Sequence, residues 1–145
     1  MDQLEAVSAL EAKRAAEAQM VKAAACPPWR HAVFGLLMGG LVASPAFDFP
    51  VRIAILVVIL CSIPLVIHSD RKRMGMFING YRRGKTRIVA LGVLAVELGL
   101  YFISVVRGLE HNDHLSPLLL GVAGVVIGIA GSMLWQRVFV REMGA

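Results

Sequence analysis

The chain has 145 residues, of which 57% are hydrophobic and only 17% are charged, and its mean hydropathy is +0.69. A soluble domain of this size could not cover so much apolar surface, so the composition excludes a soluble globular protein and predicts a membrane protein. The net charge of +5 is concentrated in one loop rather than spread over a soluble face. This distribution argues against a nucleic-acid-binding protein.

The first predicted element is an Ala-rich helix within residues 1–28. Residues that lose little freedom in a helix predominate here, and Lys13 can meet Glu17 one turn later. Pro27 and Pro28 cannot donate a helical hydrogen bond, so we expect them to end this helix. The segment has no apolar run long enough for a secretory signal and is predicted to be cytoplasmic.

Four apolar segments follow, each close to the roughly 17 to 25 residues that a helix needs to cross a bilayer core. They cover residues 32–47, 51–67, 88–106 and 115–136, within a transmembrane domain over 29–145. Only 48–50 separate the first two short segments, so a buried re-entrant hairpin is an alternative to two crossings. Pro50 suits the first turn of a helix and Asp48 can cap it, which favours two crossings. The predicted fold is all-α, a bundle of four transmembrane helices.

Lysine and arginine are distributed unequally between the two sides of these predicted spans. Of the 15, only Arg52 and Arg107 lie outside the N-terminal segment, the loop 69–87 and the C-terminal tail. The positive-inside rule then places both termini and the loop 69–87 in the cytoplasm. We expect the protein to be integral to the bacterial inner membrane.

The basic loop 69–87 interleaves its lysines and arginines with apolar side chains such as Met76 and Phe77. This composition is typical of a segment at the headgroups, where apolar side chains enter the bilayer and bases meet anionic lipid. The loop either determines topology alone or also docks an anionic lipid or an acidic partner. The bases concerned are Arg71, Lys72, Arg73, Arg82, Arg83, Lys85 and Arg87.

Small residues mark two of the predicted spans as packing helices. Lipid is as apolar as leucine, so helices in a membrane associate through close contact at small residues. Gly35 and Gly39 form a small-xxx-small pair on the first span. The fourth span carries four glycines on one helical face, at Gly121, Gly124, Gly128 and Gly131. These faces predict packing within the monomer, a homodimer seam or a binding cleft.

Glu97 lies on the third span, about 13 Å from its predicted start and close to mid-membrane. Tyr101 and Ser104 follow on the same helical face and complete a polar stripe. No lysine or arginine lies at that depth, so desolvation favours a protonated acid that donates to a carbonyl or hydroxyl. The acid either fixes helix packing through this hydrogen bond or forms a proton or cation site in a transport path.

Matching depths on the other spans predicts which residues surround this acid. They are Gly39 and Gly40 on the first span, Cys61 or Ser62 on the second, and Gly124 on the fourth. Cys61 is also expected to be a free thiol that acts as a small hydrophobic residue in the core.

The outer loop before the fourth span contains His111, Asp113 and His114. Imidazole and carboxylate groups suit a divalent metal such as zinc or copper. A short loop imposes no geometry on the three, so a solvated polar turn is the better interpretation, and no metal or other cofactor is predicted. Ser116 is the predicted N-cap of the fourth span, with Pro117 as its first helical residue.

These features leave two classes of function open, and no arrangement of residues predicts an enzyme. The first class is a non-enzymatic subunit or scaffold of a membrane complex, because so small a bundle has little room for its own cavity. The second is a small oligomeric transporter or channel in which Glu97, supported by Tyr101, couples to protons or cations. The two differ in whether the glycine faces pack inside one chain or around a shared hydrated path.

Overall fold

The computed structural model of the protein describes residues 3–23, 27–74 and 84–142, and every regular element in these ranges is helical. The α-helices are α1 (Gln3–Ala23), α2 (Pro28–Ala43), α3 (Phe49–Met74), α4 (Lys85–Val105) and α5 (Leu115–Glu142). A 3-10 turn, Ser44–Ala46, continues α2, and a π-helical turn, Val106–Glu110, continues α4. The prediction of an all-α protein is confirmed.

Three stretches of these helices are long and apolar enough to cross a membrane. They are Phe49–Lys72 in α3, Lys85–Glu110 in α4 with its π-helical turn, and Leu115–Glu142 in α5. These stretches support the predicted membrane character. The remaining predicted span corresponds to α2, which has only 16 residues and is about 24 Å long by itself.

The largest difference from the predicted boundaries lies at the basic loop. Helix α3 continues to Met74 and α4 already begins at Lys85, so both ends of the predicted loop 69–87 are helical. Arginine, lysine and methionine are good helix formers, so a helix can continue after its apolar span has ended. Residues 75–83 lie outside the described ranges.

Helix α1 confirms the predicted N-terminal helix. Its Lys13 Nζ lies 3.9 Å from a Glu17 carboxylate oxygen, and its described side chains are exposed apart from half-buried Glu17. The helix ends at Ala23, and Pro28 is the first residue of α2. Proline suits that position, because its φ angle is helical and the missing N–H would have no partner there.

Helices α2, α4 and α5 form a three-helix unit, in which α5 packs against both α2 and α4. Helix α2 runs antiparallel to α5, since His31 at its start contacts Ser132 and Ala46 after its end contacts His114. Helix α4 is also antiparallel to α5, and the backbone N–H of Lys85 at its start donates to the Glu142 carboxylate. Consequently α2 and α4 are parallel to each other.

Glycines allow α2 and α5 to approach until their backbones are in contact. A Cβ atom on Gly39 would lie 2.5 Å from the carbonyl oxygen of Gly121, and one on Gly35 would lie 2.7 Å from that of Val125. A backbone carbonyl cannot turn away as a flexible side chain can, so only glycine fits these positions. The six glycines predicted to pack helices are buried within this single chain: Gly35, Gly39, Gly121, Gly124, Gly128 and Gly131.

Helix α3 stands largely apart from the three-helix unit. The most apolar window of Phe49–Lys72 contains no buried residue. At one end of α3, the Asp70 carboxylate, in a residue only 2% exposed, forms an ion pair with Arg30. At the other end, Arg52 donates to the carbonyl oxygen of Phe47 at 3.1 Å. The apolar middle of α3 is therefore available to lipid or to another helix.

The close contact between the glycine faces of α2 and α5, called the glycine seam below, can be tested with substitutions at two neighbouring glycines. Gly39→Ala should lower the free energy of unfolding by about 1 to 3 kcal/mol, the usual cost of overpacking. Gly40→Ala is the matched control, because nothing lies within 4 Å of a Cβ atom at this position. Alanine there should be neutral or slightly stabilising, because it favours the helix. Unfolding in mixed detergent micelles, followed by circular dichroism, measures both variants, and equal losses would contradict the described seam.

Candidate functional site

Glu97 is a buried acid at the centre of the three-helix unit. The residue is only 4% exposed. It lies near the midpoint of the stretch Lys85–Glu110, about 18 to 20 Å from either end at 1.5 Å per residue. A charge at this depth could not reach the aqueous phase along its own side chain.

The carboxyl group of Glu97 enters a space that glycines of α2 and α5 leave open. A Cβ atom on Gly124 would lie 3.1 Å from Glu97 Oε2, and one on Gly128 would lie 3.6 Å from Oε1. The same two Cβ positions are 3.2 Å from the Cα of Gly39 and 2.9 Å from the Cα of Gly35. The acid therefore lies where three helices meet, beside Gly39 and Gly124 as depth matching predicted.

Both carboxyl oxygens of Glu97 are inaccessible to solvent, and neither has a hydrogen-bond partner in the described part of the chain. Buried polar atoms normally have a partner, because burying one without compensation is unfavourable. Among the described residues, the interhelical hydrogen bond predicted for this acid is thus not found. An unpartnered intramembrane acid is a candidate for proton or ion binding, and Glu97 is the centre of the candidate site.

The other two members of the predicted polar stripe differ from Glu97. The fully buried hydroxyl group of Ser104 donates to the carbonyl oxygen of Val42 at 2.5 Å and so links α4 to α2. Tyr101 is half-buried. An interhelical hydrogen bond from α4 is therefore formed, but its donor is Ser104 and not Glu97.

Three of the predicted neighbours of Glu97 lie elsewhere. Gly40 faces away from the seam, because a Cβ atom there would meet nothing within 4 Å. Cys61 is exposed on α3, and the hydroxyl group of Ser62 donates to a carbonyl of its own helix. The core position predicted for Cys61 was wrong, because α3 lies outside the three-helix unit and depth matching cannot show the order in which helices pack.

A contact at the end of this unit where α2 begins was not predicted from the sequence. His31 is buried, and its Nδ1 lies 2.8 Å from the hydroxyl oxygen of Ser132. The contact could have been predicted from the spacing of His31, Gly35 and Gly39, which places all three on one face of α2. Histidine therefore extends the glycine seam with a polar contact.

The loop before α5 does not bring His111, Asp113 and His114 to a common metal position. Within the described ranges, no three His, Cys, Asp or Glu residues are placed to hold a metal ion. The Nδ1 atoms of His111 and His114 lie 3.2 Å from the Val106 carbonyl oxygen and 2.7 Å from the Ala46 carbonyl oxygen, respectively. Because carbonyl oxygens only accept, each Nδ1 donates, and the two rings stabilise the backbone at this end of the three-helix unit.

Asp113 caps the N-terminus of α5. Its Oδ1 accepts the backbone N–H groups of Leu115 at 3.0 Å and Ser116 at 3.1 Å, and its Oδ2 accepts the Ser116 hydroxyl. The predicted cap at Ser116 was wrong, because α5 begins before Pro117. The hydrogen bonds from the Ser116 hydroxyl and backbone, aided by Leu115 and the charge of Arg107, lower the pKa of Asp113 by stabilising its charged form.

The bases predicted to contact lipid lie near the ends of α3 and α4. These ends share one side of the molecule with the start of α2 and the end of α5, as the Arg30–Asp70 and Lys85–Glu142 contacts require. Four of these bases have exposed side chains: Arg71, Lys72, Lys85 and Arg87. Arg73 lies in the last turn of α3, and Arg82 and Arg83 are outside the described residues.

Comparison with known proteins does not assign this chain to a family. No protein-family model matches it, and searches of curated proteins and of solved structures gave no match. Its function is therefore inferred from the residues and contacts described above.

Acid should weaken the cap of α5 through Asp113. Folding lowers the pKa of Asp113, so its carboxylate stabilises the folded state fully when the pH is above the usual aspartate pKa of 3.8. This contribution to stability is lost as the pH falls through the lowered pKa. Asp113→Ala should lower the melting temperature at neutral pH and have less effect well below pH 3.8. Asp113→Asn keeps an acceptor oxygen and should lose less. An effect of Asp113→Ala that does not change with pH would contradict this assignment.

Proposed function

We propose that the protein is a non-enzymatic subunit or scaffold of a membrane complex, in which α3 provides the surface that binds a partner helix. The observation that carries this proposal is the apolar stretch Phe49–Lys72, whose most hydrophobic window has no buried residue. The glycine faces of α2 and α5 are used within the chain, so they are not free to line a path between subunits.

The exposed surfaces of α3 and α4 support a partner within the membrane. Large apolar side chains of α3 project freely, among them Val58, Leu60 and Leu65. On α4, Cβ atoms on Gly92 and Gly99 would meet nothing within 4 Å. Small residues on an open helix face allow the backbone of another helix to come close.

A topology with four crossings and both termini in the cytoplasm fits this proposal. Helix α2 and its 3-10 turn run beside α5 from Ser132 to His114, a distance of about 27 Å along α5. This length supports a full crossing by α2 over a re-entrant turn, since a bilayer core is about 30 Å thick. The excess of lysine and arginine on one side supports the inner membrane of a bacterium as the location.

A second function, proton or cation coupling in a small oligomeric transporter or channel, is favoured by Glu97. Its carboxyl group is buried without a partner in the described residues, as is common where acids mark ion or proton paths. The surrounding glycines enclose the acid within one chain, however, and transport needs a hydrated route to it. This enclosure gives more support to the scaffold.

Site-specific photo-crosslinking in native membranes tests the role of α3. A benzophenone amino acid in place of Val58 should give a discrete adduct with a different polypeptide. Val122 on α5 is the matched control, because its exposed fraction of 63% equals that of Val58, and it should label lipid. An adduct between two copies of this chain would favour the oligomeric alternative, and lipid adducts alone at Val58 would contradict a partner on α3.

Glu97→Gln distinguishes the two functions. Glutamine keeps the shape of the side chain without its acid, so the free energy of unfolding should change by less than about 1.5 kcal/mol. In proteoliposomes under a pH gradient, we expect the native protein and the variant to show the same proton flux. A flux present in the native protein and lost in the variant would support transport and count against the scaffold.

A further inference from the structure

An open groove lies at the C-terminal end of α5, against the first turn of α2. It has a volume of about 470 Å³. Pro28 and His31 contribute the wall from α2, and Met133, Arg137 and Arg141 contribute most of the wall from α5. The groove is on the side of the molecule that carries the basic ends of α3 and α4, and it is separate from Glu97.

Two arginines of this groove are free to bind an anion. Arg137 and Arg141 are exposed and one turn apart on α5, and neither has an ion pair or hydrogen bond within the described ranges. Guanidinium groups bind phosphate oxygens through two parallel hydrogen bonds, which makes arginine well suited to a phosphate group. The spacing allows both side chains to reach one phosphate from the same helix face.

The acids nearest this end are already engaged. Asp70 is paired with Arg30 on α2, and the Glu142 carboxylate accepts the backbone N–H of Lys85 on α4. Neither acid forms an ion pair with Arg137 or Arg141 in the described part of the chain, so both guanidinium groups can contact an external anion.

The start of α2 adds to this positive potential. No side chain caps α2 at Pro27, and its first turn contains no acid. Unpaired N–H groups and the helix dipole give such an end a partial positive charge. Next to it, His31 is held in place by Ser132, with 2.8 Å between Nδ1 and Oγ, which gives the groove a fixed polar wall.

The remaining features place the groove where headgroups meet hydrocarbon. Met133 and Val140 give the wall an apolar part. On the same turns of α5, the rings of Trp135 and Phe139 stack with their centroids 5.4 Å apart. Tryptophan is enriched at the boundary between headgroups and acyl chains, so a molecule in this groove would have phosphate at one end and hydrocarbon at the other.

We propose that this groove binds the phosphate of one anionic phospholipid through Arg137 and Arg141, with Met133 in contact with the upper part of an acyl chain. Charge complementarity favours a lipid with net negative charge over a zwitterionic one. The site does not depend on the function proposed above, and it is different from the bases at residues 69–87.

Native mass spectrometry of the whole chain, released from nanodiscs that contain phosphatidylglycerol and phosphatidylcholine, tests this site. The native protein should retain one phosphatidylglycerol in preference to phosphatidylcholine. The double variant Arg137→Gln, Arg141→Gln should lose about tenfold or more in retention, because charge-assisted contacts to phosphate are removed. The matched control is Lys13→Gln, Arg14→Gln, which removes the same charge from exposed positions on α1 and should retain the lipid.

Three outcomes would overturn the proposal. They are unchanged retention in the groove variant, an equal loss in the α1 control, and displacement of the lipid by millimolar inorganic phosphate that itself remains bound. Melting temperatures show whether each variant is folded. If the Arg137→Gln, Arg141→Gln variant unfolds, the variant Arg137→Lys, Arg141→Lys is used instead, because it keeps both charges. It must still prefer the anionic lipid, with weaker retention, because lysine lacks the planar guanidinium group that forms two parallel hydrogen bonds.

Discussion

The contact between the backbones of α2 and α5 is the constraint on which the rest of the structure depends. Lipid supplies no hydrophobic force between helices, so close contact has to hold them together. Gly35 and Gly39 on α2 meet Gly121, Gly124 and Gly128 on α5 without intervening side chains. This seam places α2 and α5 together, although they are the first and last apolar helices of the chain, and it leaves α3 outside.

The same seam creates the environment of the acid. Because Gly124 and Gly128 have no side chains, the carboxyl group of Glu97 can enter from α4 and lie against both α2 and α5. The packing that holds the unit together also separates the acid from water and from any partner within the described chain. The burial of Glu97 and the packing of α2, α4 and α5 within one chain are therefore two results of the same glycine contacts. These contacts bear on both functions considered, the scaffold and the coupling to protons or cations.

The two ends of the three-helix unit have different chemistry. At the end where α5 begins, His114 and Asp113 bond to the backbone and stabilise the start of α5 and the turn after α2. At the other end, Asp70 pairs with Arg30, whereas Arg137 and Arg141 line the groove without an ion pair in the described part of the chain. Helix α3 is exposed between these ends, since its most apolar window contains no buried residue.

The sequence by itself determined the membrane character, the helices and the residues on each helical face, because composition and periodicity are local properties. The glycine faces and the position of Glu97 along its helix were predictable for this reason. Only the tertiary structure decided which helix faces meet. An interhelical hydrogen bond was expected from Glu97 but is formed by Ser104, and Cys61, expected in the core, is exposed on α3. Several apolar helices with similar small-residue patterns can be paired in more than one order, and the order depends on close contacts between residues far apart in the chain, which no local pattern encodes.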